Sequence, residues 1–142
     1  MRGALIDAGP LVAALHADDS RHAAVVAALK EVHGRLTTVW PAVTEAHHLL
    51  RRCAPGQAHR LLDAIATGAV AVADLDAADM PGIVSVMRKF ADQDLQLADA
   101  ALAHVAERDG YRTLITLDER DFRAVEASRR GRLTLIVPAN AR

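Results

Sequence analysis

The chain has 142 residues, 51% apolar and only 3% aromatic, with a formal net charge of −1 and a single cysteine. These values exclude a disordered chain, a disulfide-bonded scaffold and a cysteine-based zinc site, and they point to one domain over residues 1–142. A near-neutral balance neither demands nor excludes a nucleic-acid partner, because local patches suffice. No apolar run is long enough to span a membrane, and Asp7, Gly9 and Pro10 interrupt the first one. No membrane anchor and no signal peptide are therefore expected, and the setting is cytoplasmic.

Residues 3–7 (GALID) read as a short buried strand ending in an acid, followed by a Gly9-Pro10 turn. A helix then starts at Pro10, with proline in its first position. Asp18, Asp19 and Ser20 offer caps for a second helix. Its apolar face is Ala23, Val26, Ala27 and the stem of Lys30, and Gly34 closes it. Residues 36–39 form a second strand. Pro41 opens a third helix whose stripe is Ala42, Ala46, Leu49, Leu50 and Cys53, with Cys53 a buried thiol. Glu45 borders that stripe. After the Pro55-Gly56 break, residues 57–67 form a helix, 69–73 a third strand and 77–90 a helix with Ile83, Val84, Met87 and Phe90 inward. Leu97, Ala98, Ala101, Leu102 and Val105 place one apolar stripe on a helix over 97–109, ended by Gly110. Residues 112–116 read as a buried strand, and 133–137 as an edge strand before Pro138. Strands alternate with helices, so the fold class is α/β: right-handed crossovers and a mostly parallel sheet with helices on both faces.

That reading brings four carboxylates to one place. Asp7 and Asp118 end strands, Asp99 opens a helix, and Glu45 lies near the start of a helix that follows a strand. In a parallel sheet, strand ends and helix starts share one edge, where ligands bind. Taken singly, Asp7, Asp99 and Asp118 read as helix caps, and Glu45 as a surface acid. Taken together, four like charges repel unless a cation neutralises them. Oxygen-only ligands favour Mg²⁺ or Mn²⁺, which can activate water and hold a phosphodiester.

The segments DAGPL at Asp7, TEA at Glu45, LADA at Asp99 and TLDERDF from Thr116 together resemble the PIN-domain ribonucleases, and above all the VapC toxins of bacterial toxin–antitoxin pairs. The resemblance runs from the first strand to Phe122. It implies a five-stranded parallel sheet in the order 3-2-1-4-5 and Mg²⁺-dependent endoribonuclease activity leaving a 5′-phosphate and a 3′-hydroxyl. It also implies inhibition by a small VapB-like antitoxin, and a homodimer. Metal-binding and catalytic roles fall on Asp7, Glu45, Asp99 and Asp118, and Thr116 matches a hydroxyl that hydrogen-bonds within the site. Asp7 and Asp99 are assigned the principal metal, Glu45 and Asp118 the attacking water or a second ion, and Asp94 and Asp121 a second ring. For Asp121 the reading preferred over the second ring is a reciprocal cap with Asp118. Two departures stand out: Ala8 where such toxins often carry Thr or Ser, and Gln96 where a further acid is common.

Other signals are weaker. His47 and His48 adjoin Glu45, yet no second histidine pair supports a Glu/His metal site, and His22 reads as local capping or packing. Trp40 reads as core or interface packing. Arg51-Arg52, Arg88-Lys89 and Arg129-Arg130 with Arg132 are solvated faces singly, and together could hold RNA phosphates around the acids. Two rival functions remain: a non-catalytic PIN-fold module acting only in complex with an antitoxin, and another Mg²⁺-dependent phosphate-handling enzyme.

Overall fold

Five strands of three residues each build the sheet: β1 Ala4–Ile6, β2 Leu36–Thr38, β3 Val70–Val72, β4 Thr113–Ile115 and β5 Thr134–Ile136. They pair in parallel throughout, in the order β3-β2-β1-β4-β5. The computed structural model describes residues 3–128 and 133–138. Each strand is one or two residues shorter than its apolar run predicts, because the flanking residues serve turns and caps. Asp7, for example, leaves β1 to become the N-cap of the next helix.

Among the described residues, seven α-helices connect the strands: α1 Ala8–Leu15, α2 His22–Lys30, α3 Trp40–Cys53, α4 Pro55–Ala66, α5 Met80–Lys89, α6 Leu97–Asp109 and α7 Glu119–Ser128. Short 3₁₀ turns at Ala77–Asp79 and Ala91–Gln93 flank α5. The right-handed rule for parallel crossovers puts helices on both faces of this strand order. None of the described helices is long and apolar enough to cross a membrane.

The core centres on β1 and α6. Ala4 and Leu5 of β1 and Ala100, Ala101, Leu102 and Val105 of α6 are fully buried. Helix α6 packs against α5, α3 and α7, so burial runs around it instead of along one stripe. Leu97, expected at the head of that stripe, is 46% exposed. Its alanines let neighbouring backbones approach closely. Where α5 meets α6, the carboxylate of Asp79 accepts from His104 Nε2 at 2.8 Å and Arg108 Nη1 at 3.0 Å. The start of α5 thus lies beside the end of α6, and the two helices run antiparallel.

Several local expectations are corrected. Helix α1 begins at Ala8, so Pro10 is its third residue, where its missing N–H would be unsatisfied anyway. In α2 only Val25 is buried, while Ala23, Ala27 and Lys30 are exposed. The face that packs inward is Val25, Leu29 and Val32. His22 fixes that rotation, its Nδ1 donating to the Ala13 carbonyl at 2.7 Å. In α3, Ala42, Val43, Ala46 and Leu50 are buried, but Leu49 is 39% exposed and Cys53 is exposed instead of buried. Helix α7 is an element that the sequence pattern does not predict. Its buried anchors Phe122 and Val125 span one turn, too short a stripe to stand out among charged neighbours. Gly3 has φ +94, and a Cβ there would collide with the Arg35 carbonyl, so only glycine fits this entry into β1.

Candidate active site

The chain leaves β1 toward β2 and β3, then returns to β4 on the other side of β1. The direction of winding therefore reverses between β1 and β4, and a crevice opens beyond their carboxyl ends. Asp7 follows β1, and its N–H donates to the Ile115 carbonyl of β4 at 3.0 Å. That bond sets Asp7 beside Thr116. The Thr116 hydroxyl donates to Asp7 Oδ2 at 3.1 Å and accepts from the Asp118 N–H at 3.0 Å. Asp7 Oδ1 accepts from the Ala8 N–H at 2.7 Å, so Asp7 is both a helix cap and a wall of the crevice. Asp99 enters from the first turn of α6, where its Oδ2 accepts from the Gln96 N–H at 3.1 Å.

The crevice holds about 290 Å³ and is lined by Asp7, Glu45, Asp99 and Asp118, with Ala8, Gly9, Arg21, Gln96 and Leu117 between them. All four expected acids therefore share one pocket. Asp7 and Asp99 are each 7% exposed, whereas Glu45 and Asp118 are open to solvent. The electrostatics follow from that split. Burial pushes Asp7 up to about 6; the Ala8 N–H and the Thr116 hydroxyl oppose this, and the charges of Glu45 and Asp118 add to it. Burial pushes Asp99 up to about 7, with the Asp7 charge adding to it and the Gln96 N–H opposing. Two buried acids thus hold protons near neutrality unless a cation takes their place.

Among the described residues, no three His, Cys, Asp or Glu side chains are set to hold a metal ion as they stand. The donor set still suits a hard cation. Mg²⁺ is commonly bound by one or two carboxylates, the rest of its shell being water and substrate phosphate. Two buried and two exposed carboxylates lining one open crevice match that need.

Residues 4–127 match the PIN domain family. The chain is 32% identical to Ribonuclease VapC26 of Mycobacterium tuberculosis over 133 residues, covering 93% of this chain and 98% of that protein. The chain belongs to the PIN-domain family, with the VapC ribonucleases. Its fold is also that of VapC20 of Mycobacterium tuberculosis, a sarcin–ricin loop cleaving toxin (TM-score 0.72, 18% identity, 78% of this chain and 85% of the other). A toxin–antitoxin complex from Klebsiella pneumoniae contains the same fold (TM-score 0.69, 17% identity, 97% and 99% covered).

In this PIN domain the remaining candidates separate. Thr116 joins the site. Asp94 does not line the crevice; it stands exposed in the left-handed conformation (φ 51) and turns the chain from the second 3₁₀ turn toward α6. The side chain of Asp121 lies outside the described residues, as do Arg129, Arg130 and Arg132. His47 and His48 stay out of the crevice, and His22 packs as expected. Trp40 is 54% exposed, so it is not a core residue. Arg51 and Arg52 occupy the last turn of α3, about 9 Å along the helix axis from Glu45 and toward the opposite sheet edge. Arg88 and Lys89 end α5, level with the start of α6 by the antiparallel packing, yet neither lines the crevice. The residue that the sequence did not single out is Arg21. It sits in the turn before α2, where no periodicity marks it.

Proposed function

We propose that this PIN-domain chain is a VapC-type toxin: a Mg²⁺- or Mn²⁺-dependent endoribonuclease restrained by a small VapB-like antitoxin. The observation that carries the reading is the sharing of one crevice by Asp7, Glu45, Asp99 and Asp118 at the switch point of the sheet. Homodimerisation belongs to the same proposal. Asp7 and Asp99, buried and held by backbone N–H groups, would bind the cation. A bound divalent ion supplies an activated water and an electrophilic contact to the phosphodiester. Glu45 and Asp118, exposed at the rim, orient the attacking water and accept its proton. Thr116 Oγ1 holds Asp7 Oδ2 in place. Attack of water on phosphorus expels the 3′-oxygen, leaving a 5′-phosphate and a 3′-hydroxyl.

Two rivals fit less well. A binding module without chemistry has no need of four acids in one crevice. A phosphoaspartyl enzyme needs a lysine beside its nucleophile, and no lysine is among the crevice's lining residues. The purified chain should cut structured RNA in Mg²⁺ or Mn²⁺ and stop in EDTA. RNA left intact in both metals would sink the ribonuclease reading.

Thr116→Val should lower cleavage by about 10–100-fold, as loss of a ligand-orienting partner does. Valine has the shape of threonine but leaves both Asp7 Oδ2 and the Asp118 N–H without their shared partner. Cleavage at the wild-type rate would show that this bridge does not position Asp7.

A further inference from the structure

The approach of RNA to this crevice poses an electrostatic problem. A phosphodiester chain is uniformly anionic, and the crevice presents four carboxylates. A cation bound by two of them offsets part of that charge at the scissile phosphate and little at its neighbours. Arg51, Arg52, Arg88 and Lys89, among the described residues, do not line the crevice, and Arg51 and Arg52 lie in the last turn of α3, toward the opposite edge of the sheet. Among the described residues, Arg21 is the one cationic side chain in the crevice wall.

Its placement is built by the local chain. His22 clamps the start of α2 onto the end of α1 through the Ala13 carbonyl, at 2.7 Å. The Asp19 carboxylate accepts from the Arg21 N–H at 2.8 Å, and the Asp19 carbonyl accepts from the His22 N–H at 3.0 Å. The backbone of Arg21 is therefore held from both sides. The guanidinium touches Asp19 through Nε alone, at 3.4 Å, and its side chain is 39% exposed. Asp19 does not line the crevice, so this ion pair does not draw on any of the four acids. The fork of the two terminal amino groups is the part that matches phosphate oxygens in a bidentate contact.

We propose that Arg21 binds an RNA phosphate adjacent to the scissile one, and so sets the register of the substrate across the carboxylates. This rests on the ribonuclease reading and adds to it a substrate-contacting residue outside the acid group. The contact is to backbone, so it fixes position and carries no base preference.

The test separates binding from chemistry. A fluorescent 20-nucleotide RNA hairpin is titrated with the Asp99→Asn chain, alone and combined with Arg21→Ala, Arg21→Lys or Arg51→Ala, from 50 to 300 mM KCl. Removing one phosphate contact should weaken binding by roughly 3–10-fold at low salt and reduce the slope of log K against log[salt] by about 0.7–1. Arg21→Lys should restore the slope but only part of the affinity, because ammonium cannot make the forked contact. Arg51→Ala should match the parent. Unchanged affinity and slope in Arg21→Ala would overturn the proposal. So would a change confined to the Mg²⁺ dependence of the melting temperature, which would make Arg21 a counter-ion of the carboxylates. Cleavage of the same hairpin by the unaltered chain reports on the ribonuclease reading separately, since the binding titration does not depend on turnover.

Discussion

Asp99→Asn is expected to lose about 10²–10³-fold of metal-dependent RNA cleavage while leaving the fold intact. The magnitude follows from removing one charged ligand from a cation that contributes several kcal/mol to the transition state, at about 1.4 kcal/mol per tenfold in rate. The intact fold follows from the local geometry. Asp99 engages the backbone through Oδ2, accepting from the Gln96 N–H at 3.1 Å, and an asparagine oxygen accepts that bond equally well. The variant should therefore melt as a single transition, and without metal above wild type, because it removes a charge from the crowded site. Cleavage assays with and without EDTA, run beside the melt, give the answer. A variant that cuts like wild type would remove Asp99 from the proposed chemistry.

The second large effect is on stability and changes sign with metal. Asp7 and Asp99 titrate near 6 and 7 in the folded chain, against an ordinary value of 3.8. Between about pH 4 and pH 7 the fold therefore binds more protons than the unfolded chain. Metal-free protein must lose stability as pH rises through that window, and level off above it. At pH 8 both carboxylates are ionised in a crowded site. Asp7→Asn removes one of those charges, so the metal-free variant should melt above wild type by roughly 5 °C, corresponding to about 2 kcal/mol. At pH 5 the gain should shrink, because Asp7 is then largely protonated in wild type too. Mg²⁺ reverses the order, since it binds the ionised form. A hundredfold excess over Kd adds roughly 2.7 kcal/mol to wild type, and the variant forfeits much of it. Asp63→Asn, at an exposed position of α4 outside the crevice lining, is the control. If Asp7→Asn and Asp63→Asn respond to Mg²⁺ as wild type does, Asp7 is not a metal ligand.

Much of this architecture is legible in the chain itself, for identifiable reasons. Parallel strands are buried on both faces, so GALID and RTLIT stand out as apolar runs. The alternation with helices then dictates a common edge for strand ends and helix starts. The gathering of Asp7, Glu45, Asp99 and Asp118 is a consequence of topology more than of any single residue. What escapes a linear reading depends on tertiary contact. The facing side of α2 is chosen by His22 reaching back to Ala13. Helix α7 relies on Phe122 and Val125 finding a core already built by others. Asp7 as cap and Asp7 as crevice acid are alternatives on paper, but in space one oxygen caps α1 and the other accepts from Thr116 in the crevice wall. Arg21 lies in a turn, and a turn gives no period from which to read a direction.

The exposed thiol of Cys53 has a practical consequence for the quaternary structure. It is the chain's only cysteine and sits in the last turn of α3, about 12 Å along the helix axis from Glu45. A maleimide dye will label the native sequence at one defined position without entering the crevice, giving a ready fluorescent handle for antitoxin titrations. The same accessibility makes air oxidation a source of covalently joined pairs during purification. A sizing column run without reductant would then report two chains per particle whether or not they associate. Mass measurement in the presence of a phosphine reductant, with a Cys53→Ser sample alongside, distinguishes a true homodimer from a disulfide formed on the bench.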